Sequence, residues 1–287
     1  MRSFAVSIIL ILILPFAVKA QEFNPGFFCF EDAFLLSPGY AFDSRVKLLK
    51  DLGFDGIELE GLENADEKLR ILDKYKLKVF MVYIQVDIEK EQPYDTRLND
   101  FIKNVRDKGV ALWLHIHSDK YGPSDPLGDE LCVPVIQKLA DFANDYDVKI
   151  ALYPHSRFWL EKVGDAVRLT QKINRKNVGA VFNLCHFLKT DDRSTIEKSL
   201  RESIPYLAAV SINGADDGAT RDMEWSRLIQ PLGRGSFDVL NILRILRTNN
   251  YKGPVGLQCY DIKGDPSEFL RVSIESWHKY MKELSSN

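Results

Sequence analysis

The chain repeats one pattern eight times: a short apolar run is followed by a longer charged, amphipathic stretch. The apolar runs have the length of buried strands and lie at Gly26–Phe30, Gly56–Leu59, Val79–Ile84, Ala111–Ile116, Lys149–Tyr153, Gly179–Leu184, Ala208–Ile212 and Val255–Cys259. Helical spacing of apolar residues is found over Asp43–Leu52, Ala65–Tyr75, Asp95–Lys108, Val133–Tyr146, Trp159–Asn174, Ser194–Ile204, Phe237–Asn249 and Pro266–Leu284. Alternating strands and helices predict a parallel sheet.

Eight such units in about 250 residues match a closed barrel. We therefore predict a single α/β domain, a (β/α)8 TIM barrel, over residues 21–287. The alternative is an open doubly wound sheet, but no Gly-rich GxGxxG turn follows an early strand.

The first 20 residues have the features of a signal peptide. Arg2 supplies a positive charge, Phe4–Val18 is almost wholly apolar, and Ala20 ends a small-residue cleavage motif before Gln21. The apolar run is shorter than the roughly 20 residues of a membrane-spanning helix, so cleavage is favoured over a stable membrane anchor. We expect an exported protein, periplasmic or secreted.

The charge balance and the cysteines narrow the choice further. The chain has 38 basic and 41 acidic residues and a formal net charge of −3, so it lacks the basic footprint of a nucleic-acid partner. Its four cysteines are far apart, without CxxC or other zinc spacing, and predict buried free thiols rather than a disulfide framework. The sequence carries no signal for an oligomeric state.

Four of the five histidines fall at or just past the end of a predicted strand, where the working site of such a barrel lies. They are His115 and His117 on the fourth strand, His155 on the fifth and His186 on the sixth. Any one alone is more typical of a core or loop histidine, but neighbouring strands would bring the group together. Imidazole suits acid/base work near neutral pH. With Glu58, which ends the second strand, His117, His155 and His186 are the candidate catalytic residues.

Neutral polar side chains at other strand ends are candidates for binding a polyhydroxylated ligand. They are Tyr153, Asn183, Ser211, Asn213 and Gln258. Two glycines flank Arg234 and allow a turn that presents its guanidinium to a sugar oxygen, although a surface arginine in a turn is an equal alternative. Trp159, Trp225 and Tyr260 are candidates to stack on a sugar ring, whereas core packing is the better interpretation of Trp113.

Five segments, in order, resemble the xylose isomerase-like barrel family, which includes sugar phosphate isomerases and epimerases and endonuclease IV-type enzymes. They are Leu52–Leu59, Ala151–His155, Val178–His186, Pro231–Gly235 and Tyr251–Gln258. The resemblance covers nearly all of residues 21–287. Asn183–His186 and Gly256–Tyr260 are similar to an exported branch associated with carbohydrate breakdown, which resembles enzymes that act on 3-keto-sugars by elimination or hydration.

Members of this family typically hold a divalent metal with Glu, Asp, His and Glu on strands five to eight. The resemblance places Tyr153, Asn183, Ser211 and Gln258 at those positions. An amide contributes only a dipole to a hard cation where a carboxylate contributes charge, so we predict no metal and no other cofactor. A divalent metal held by the histidines, with Glu58, is left open as an alternative.

Residues and resemblance together favour an exported carbohydrate-active enzyme that removes a proton next to a carbonyl. It would be a sugar isomerase or epimerase, or a 3-keto-sugar lyase or hydratase, with a small carbohydrate as its partner. The alternative is a non-catalytic carbohydrate-binding barrel that has lost the family's metal site. Nucleic-acid cleavage needs a multi-metal site and a basic face. The missing metal ligands and the net charge of −3 both argue against it.

Overall fold

The computed structural model describes residues 23–286, so the predicted signal peptide lies outside the described residues. Eight parallel strands close into a barrel in chain order. They are β1 (Phe27–Cys29), β2 (Gly56–Glu60), β3 (Lys78–Asp87), β4 (Ala111–His117), β5 (Lys149–Leu152), β6 (Val178–Asn183), β7 (Leu207–Ile212) and β8 (Val255–Leu257). Pairing of β1 with β8 completes the ring. The predicted (β/α)8 barrel is confirmed, and the open sheet is wrong.

The helices surround the barrel. They are α1 (Phe42–Leu52), α2 (Ala65–Tyr75), α3 (Leu98–Asn104), α4 (Asp129–Asn144), α5 (Val163–Ile173), α6 (Leu184–Thr190), α7 (Ile196–Ser203), α8 (Trp225–Leu228), α9 (Val239–Thr248) and α10 (Pro266–Ser286). Every predicted helix is present, although α3 is shorter at both ends than predicted. No helix in the described range is both long enough and apolar enough to cross a membrane.

Two short helices, α6 and α8, were absent from the sequence prediction. Helix α6 begins directly at the end of β6. Its first turn is capped by the side-chain oxygen of Asn183, which accepts a hydrogen bond from the His186 N–H at 3.3 Å. One residue therefore ends a strand and starts a helix, which leaves no loop to separate the two patterns.

The core has two layers. The larger lies between strands and helices, and the smaller fills the barrel interior with aromatic rings, among them Phe28, Trp113 and Tyr153. Glycines face these rings: a Cβ on Gly256 would lie 2.6 Å from the rings of Phe28 and Phe30. The interior therefore balances large rings with residues that have no side chain. All four cysteines are buried free thiols, as predicted.

Candidate active site

A cavity of about 780 Å³ opens at the carboxyl ends of the strands. Side chains on and after β1 and β2 form one wall, and side chains on and after β4, β5 and β6 face them. Phe30 and Tyr153 belong both to the interior aromatic layer and to the cavity lining, so that layer is the cavity floor. The volume lies within the range of small-molecule sites.

Two histidines on one wall have complementary hydrogen-bonding states. The ring centroids of His155 and His186 are 4.1 Å apart. Nδ1 of His155 lies 2.9 Å from the Ser156 carbonyl oxygen, which can only accept, so Nδ1 carries the proton and Nε2 keeps a free lone pair. The Ser156 N–H donates to Nδ1 of His186 at 3.3 Å, so His186 carries its proton on Nε2. The pair offers one acceptor and one donor.

Burial keeps these imidazoles neutral. It lowers the pKa of His155 to about 4, against the opposing effect of the hydrogen bond to Ser156. Burial and the neighbouring His155 lower the pKa of His186 well below its usual value. Burial, followed by the proximity of His117, lowers the pKa of His115 to about 2. The tautomers assigned above therefore hold at neutral pH.

His117 is set apart from the cavity lining, although the sequence grouped it with the other histidines. Its Nε2 lies 2.8 Å from Nδ1 of His115, which does line the cavity and stacks on Tyr83 with a centroid separation of 4.1 Å. Burial lowers the pKa of His117, and Asp87 opposes this. His117 thus contacts the cavity lining through His115 and Phe158.

Four carboxyl groups line the opposite wall: Glu31, Asp32, Glu58 and Glu60. Glu31 is neutralised by Lys68 at 2.7 Å and Arg45 at 3.2 Å. Glu58 is only 2% exposed. Its Oε2 accepts a hydrogen bond from the Glu31 N–H at 3.1 Å, and its Oε1 is buried without a partner among residues 23–286.

The surroundings of Glu58 and Asp32 favour the protonated acid. Burial, then the charges of Glu60 and Asp32, raises the pKa of Glu58 well above its usual value. Burial and Glu60 do the same for the pKa of Asp32, whose Oδ1 also lacks a partner. The sequence reasoning missed Glu31 and Asp32. Both follow directly after β1, so the strand-end criterion that identified Glu58 would have found them.

Three predicted binding residues meet beneath the histidines. The side-chain amide of Asn183 donates to the hydroxyl of Tyr153, and Nε2 of Gln258 lies 3.5 Å from the same oxygen. Tyr153 and Gln258 line the cavity, whereas Asn183 supports Tyr153 from the side. Strands β5, β6 and β8 supply the group, as the sequence placement implied.

Three other predicted binding residues lie outside the cavity lining. Ser211 and Asn213 are fully buried, and the Asn213 amide donates to two backbone carbonyls. Arg234 is exposed on the surface. Its flanking glycines do form a turn, with φ of 86° at Gly233 and 80° at Gly235, and a Cβ on Gly235 would also lie 2.1 Å from the Ala215 carbonyl oxygen. The site we propose therefore omits Ser211, Asn213 and Arg234.

Two aromatic side chains stand at the cavity wall and mouth. Trp225 and Tyr260 both line the cavity, and Tyr260 is 52% exposed. Trp225 packs edge-on against His186 at 5.5 Å between centroids. Trp113, by contrast, is fully buried in the interior layer, as its sequence context indicated.

Fold and cavity define the class: a (β/α)8 barrel with a small-molecule site at the carboxyl ends of its strands. Residues 46–280 match the model of a family described as "Xylose isomerase-like TIM barrel", and the chain belongs to that family. The resemblance found in the sequence is therefore confirmed. By fold, the chain is a xylose isomerase-like TIM barrel.

Individual relatives are distant. An inosose isomerase from Halalkalibacterium halodurans is 24% identical over 157 residues, which are 54% of this chain and 52% of that protein. The chain thus matches about half the length of that relative. The apo structure of 3-keto-D-glucoside 4-epimerase from E. coli has a TM-score of 0.70 at 17% identity, covering 90% of this chain and 100% of the other. The IOLI protein with a bound zinc atom has a TM-score of 0.71 at 18% identity, covering 90% and 98%.

The donor atoms of Gln258 and Asn183, at two of the positions where the family resemblance placed metal ligands, are already engaged. Oε1 of Gln258 accepts hydrogen bonds from the N–H groups of Cys259 at 2.8 Å and Tyr260 at 2.9 Å. Oδ1 of Asn183 accepts from the His186 N–H and the Cys185 thiol. Within residues 23–286, no three His, Cys, Asp or Glu side chains are grouped to hold a metal ion.

Proposed function

We propose that this protein is an enzyme that enolises a sugar or keto-sugar, acting as an isomerase or epimerase, or as a lyase or hydratase on a 3-keto-sugar. One observation carries the proposal: His155 presents a free Nε2 lone pair beside the Nε2–H of His186 in a cavity of sugar size. Enolisation needs a base for the C–H proton and a donor for the carbonyl oxygen.

The chemistry balances without an external reagent. Nε2 of His155 takes the proton from the carbon next to the carbonyl, and the C–H electron pair becomes the new C=C bond. The carbonyl π pair moves onto oxygen, which a donor in the cavity stabilises. Delivery of a proton to the opposite face of the same carbon gives an epimer. Delivery of a proton to the former carbonyl carbon, while the hydroxyl proton on the neighbouring carbon moves to the enolate oxygen, gives an isomer. Loss of a β-hydroxyl as water, which takes up the proton held by the His155 imidazolium, gives elimination.

Two donors face the developing oxyanion from different walls. His186 offers its Nε2–H beside the base. Glu58 stands on the opposite wall, where its raised pKa favours the protonated acid and its Oε1 has no protein partner. Burial lowers the pKa of His155 and raises the pKa of Glu58, so His155 is assigned as the base and Glu58 as the acid. His117 would exchange protons with the cavity through His115.

A carbohydrate suits the remaining surface. Tyr153 and Gln258 supply neutral hydrogen-bonding groups, and Trp225 and Tyr260 supply aromatic faces. The related inosose isomerase and 3-keto-D-glucoside 4-epimerase act on compounds of this kind by their names. We further propose export, on the strength of the signal-like residues 1–20. Amino-terminal sequencing of protein from the native host tests this, with a start at Gln21 expected and an intact Met1 contradicting it.

The function is tested by solvent deuterium uptake at carbon in sugars, sugar phosphates and 3-keto-glycosides. We expect exchange with one class of these compounds. His155→Gln should abolish it, while His278→Gln, a matched change at an exposed position on α10, should leave it intact. Binding of a sugar without exchange would contradict enolisation and support the non-catalytic binding barrel.

A further inference from the structure

Tyr153 accepts more hydrogen bonds than it gives. Its hydroxyl oxygen accepts from the Asn183 amide and lies 3.5 Å from Nε2 of Gln258. Nothing in the part of the chain that the structure describes accepts the Tyr153 hydroxyl proton. Its ring is held on several sides, by Trp113 at 4.8 Å and Tyr83 at 5.3 Å between centroids. The phenol is thus a fixed donor with its proton uncommitted.

The orientation of the two amides is dictated by the backbone. The oxygen of Gln258 is held by the N–H groups of Cys259 and Tyr260, so its NH₂ group must turn the other way. The oxygen of Asn183 is held by the His186 N–H, with the same consequence. Both NH₂ groups therefore converge on the Tyr153 oxygen and occupy its lone pairs.

The arrangement around the Tyr153 hydroxyl disfavours binding of a cation and favours binding of an anion. Amide N–H groups present the positive ends of their dipoles, and they cannot coordinate a metal. A cation near the Tyr153 oxygen would face two such ends, and β5, β6 and β8 carry no carboxylate to balance it. Asp32 and Glu58 lie within electrostatic range of Tyr153, but burial raises the pKa of both and favours their neutral acids. A negatively charged oxygen near the Tyr153 proton would instead be stabilised by a chain of aligned donors.

We propose that Tyr153 is a catalytic residue that donates a hydrogen bond to the enolate oxygen of the substrate, and that the site performs this step without a divalent metal. The inference rests on the enolisation proposed above. As His155 removes the C–H proton, negative charge builds on the carbonyl oxygen, and the Tyr153 O–H stabilises it there. When carbon is reprotonated the charge returns to the C=O bond, so Tyr153 ends the cycle with its proton.

The first test is Tyr153→Phe, which keeps the ring and removes the donor. We expect kcat for deuterium exchange to fall about 100- to 1,000-fold, the usual effect of losing one oxyanion donor, while KM changes little. The matched control is Tyr251→Phe, a buried tyrosine remote from the cavity whose hydroxyl donates to the Pro254 carbonyl. It should retain exchange even if the fold is somewhat less stable. Unchanged kcat in Tyr153→Phe would overturn the inference.

The second test concerns the metal. After dialysis against a chelator, the wild-type exchange rate should stay within twofold and should not rise on addition of Mg²⁺, Mn²⁺ or Zn²⁺. Calorimetric titration with Mn²⁺ alone should show no one-to-one site. A double variant, Asn183→Asp with Gln258→Glu, restores two carboxylates at these strand ends and should bind Mn²⁺ in the same titration. The Asp side chain can still cap α6.

The outcomes separate the two proposals. Exchange that is lost on chelation and recovered with a cation, or a one-to-one Mn²⁺ site in the wild-type protein, contradicts the metal-free inference and leaves enolisation standing. A wild-type protein that exchanges no sugar, with or without every cation, contradicts the proposed function and the role of Tyr153 together.

Discussion

Glu58→Gln separates the protonated and ionised states of the buried acid. Glutamine keeps the shape of a protonated glutamic acid, including an oxygen to accept from the Glu31 N–H. Glutamine does not titrate, so its side chain takes up and releases no proton when the protein folds or unfolds. Since Glu58 is 2% exposed with one oxygen unpartnered, its raised pKa means that the folded state holds a proton the unfolded chain has released.

The sign and slope of the effect follow from linkage. Above the ordinary glutamate pKa of 4.5, the folded wild type binds more protons than the unfolded chain. Its free energy of unfolding therefore falls as pH rises, until the raised pKa of Glu58 is passed. One retained proton corresponds to about 1.4 kcal/mol per pH unit. The Glu58→Gln variant does not lose stability in this way. Between pH 4.5 and the raised pKa of Glu58, its free energy of unfolding relative to the wild type should therefore increase by about 1.4 kcal/mol per pH unit.

Urea unfolding followed by circular dichroism, at pH steps from about 5 to 8, measures the gap directly. Glu67→Gln, an exposed change on α2, is the control and should track the wild type at every pH. If the wild-type and Glu58→Gln curves stay parallel, Glu58 is ionised in the fold. It is then no proton donor in the cavity.

Three further predictions concern the base, a close backbone approach and the aromatic wall. The exchange rate should be flat near neutral pH and fall as pH drops through about 4, where His155 takes up a proton; an acid limb near 6.5 would contradict the buried base. Gly214→Ala should destabilise the fold by about 1–3 kcal/mol or more in thermal unfolding, since its Cβ would lie 2.2 Å from the Pro231 carbonyl oxygen. Gly39→Ala meets nothing within 4 Å and should have no such effect. Trp225→Ala should weaken sugar binding by calorimetry about three- to tenfold, and unchanged affinity would exclude ring stacking there.

The barrel was readable because parallel strands buried on both faces leave continuous apolar runs. The same rule, applied to strand ends, located His155, His186 and Glu58. Arg234 was inferred instead from its flanking glycines, which do adopt positive φ, but the turn they form lies outside the cavity lining.

The tautomers and hydrogen-bonding orientations of the site residues could not be predicted from the sequence. The tautomers of His155 and His186 depend on the backbone of Ser156, which approaches both rings only in the folded chain. The orientation of the Gln258 amide depends likewise on two N–H groups that turn back after β8. Residue types predict which groups meet, but donor and acceptor roles follow from the backbone around them.

The aromatic floor also limits how deeply a ligand can enter the cavity. Phe30 and Tyr153 form this floor. The residue that packs against Phe30 is Gly256, so no smaller residue could be placed there to make room for the ring. A ligand therefore cannot pass through the barrel toward the amino ends of the strands and can enter or leave only through the mouth of the cavity, where Tyr260 is 52% exposed. Phe30 is the position at which the permitted depth of entry could be changed.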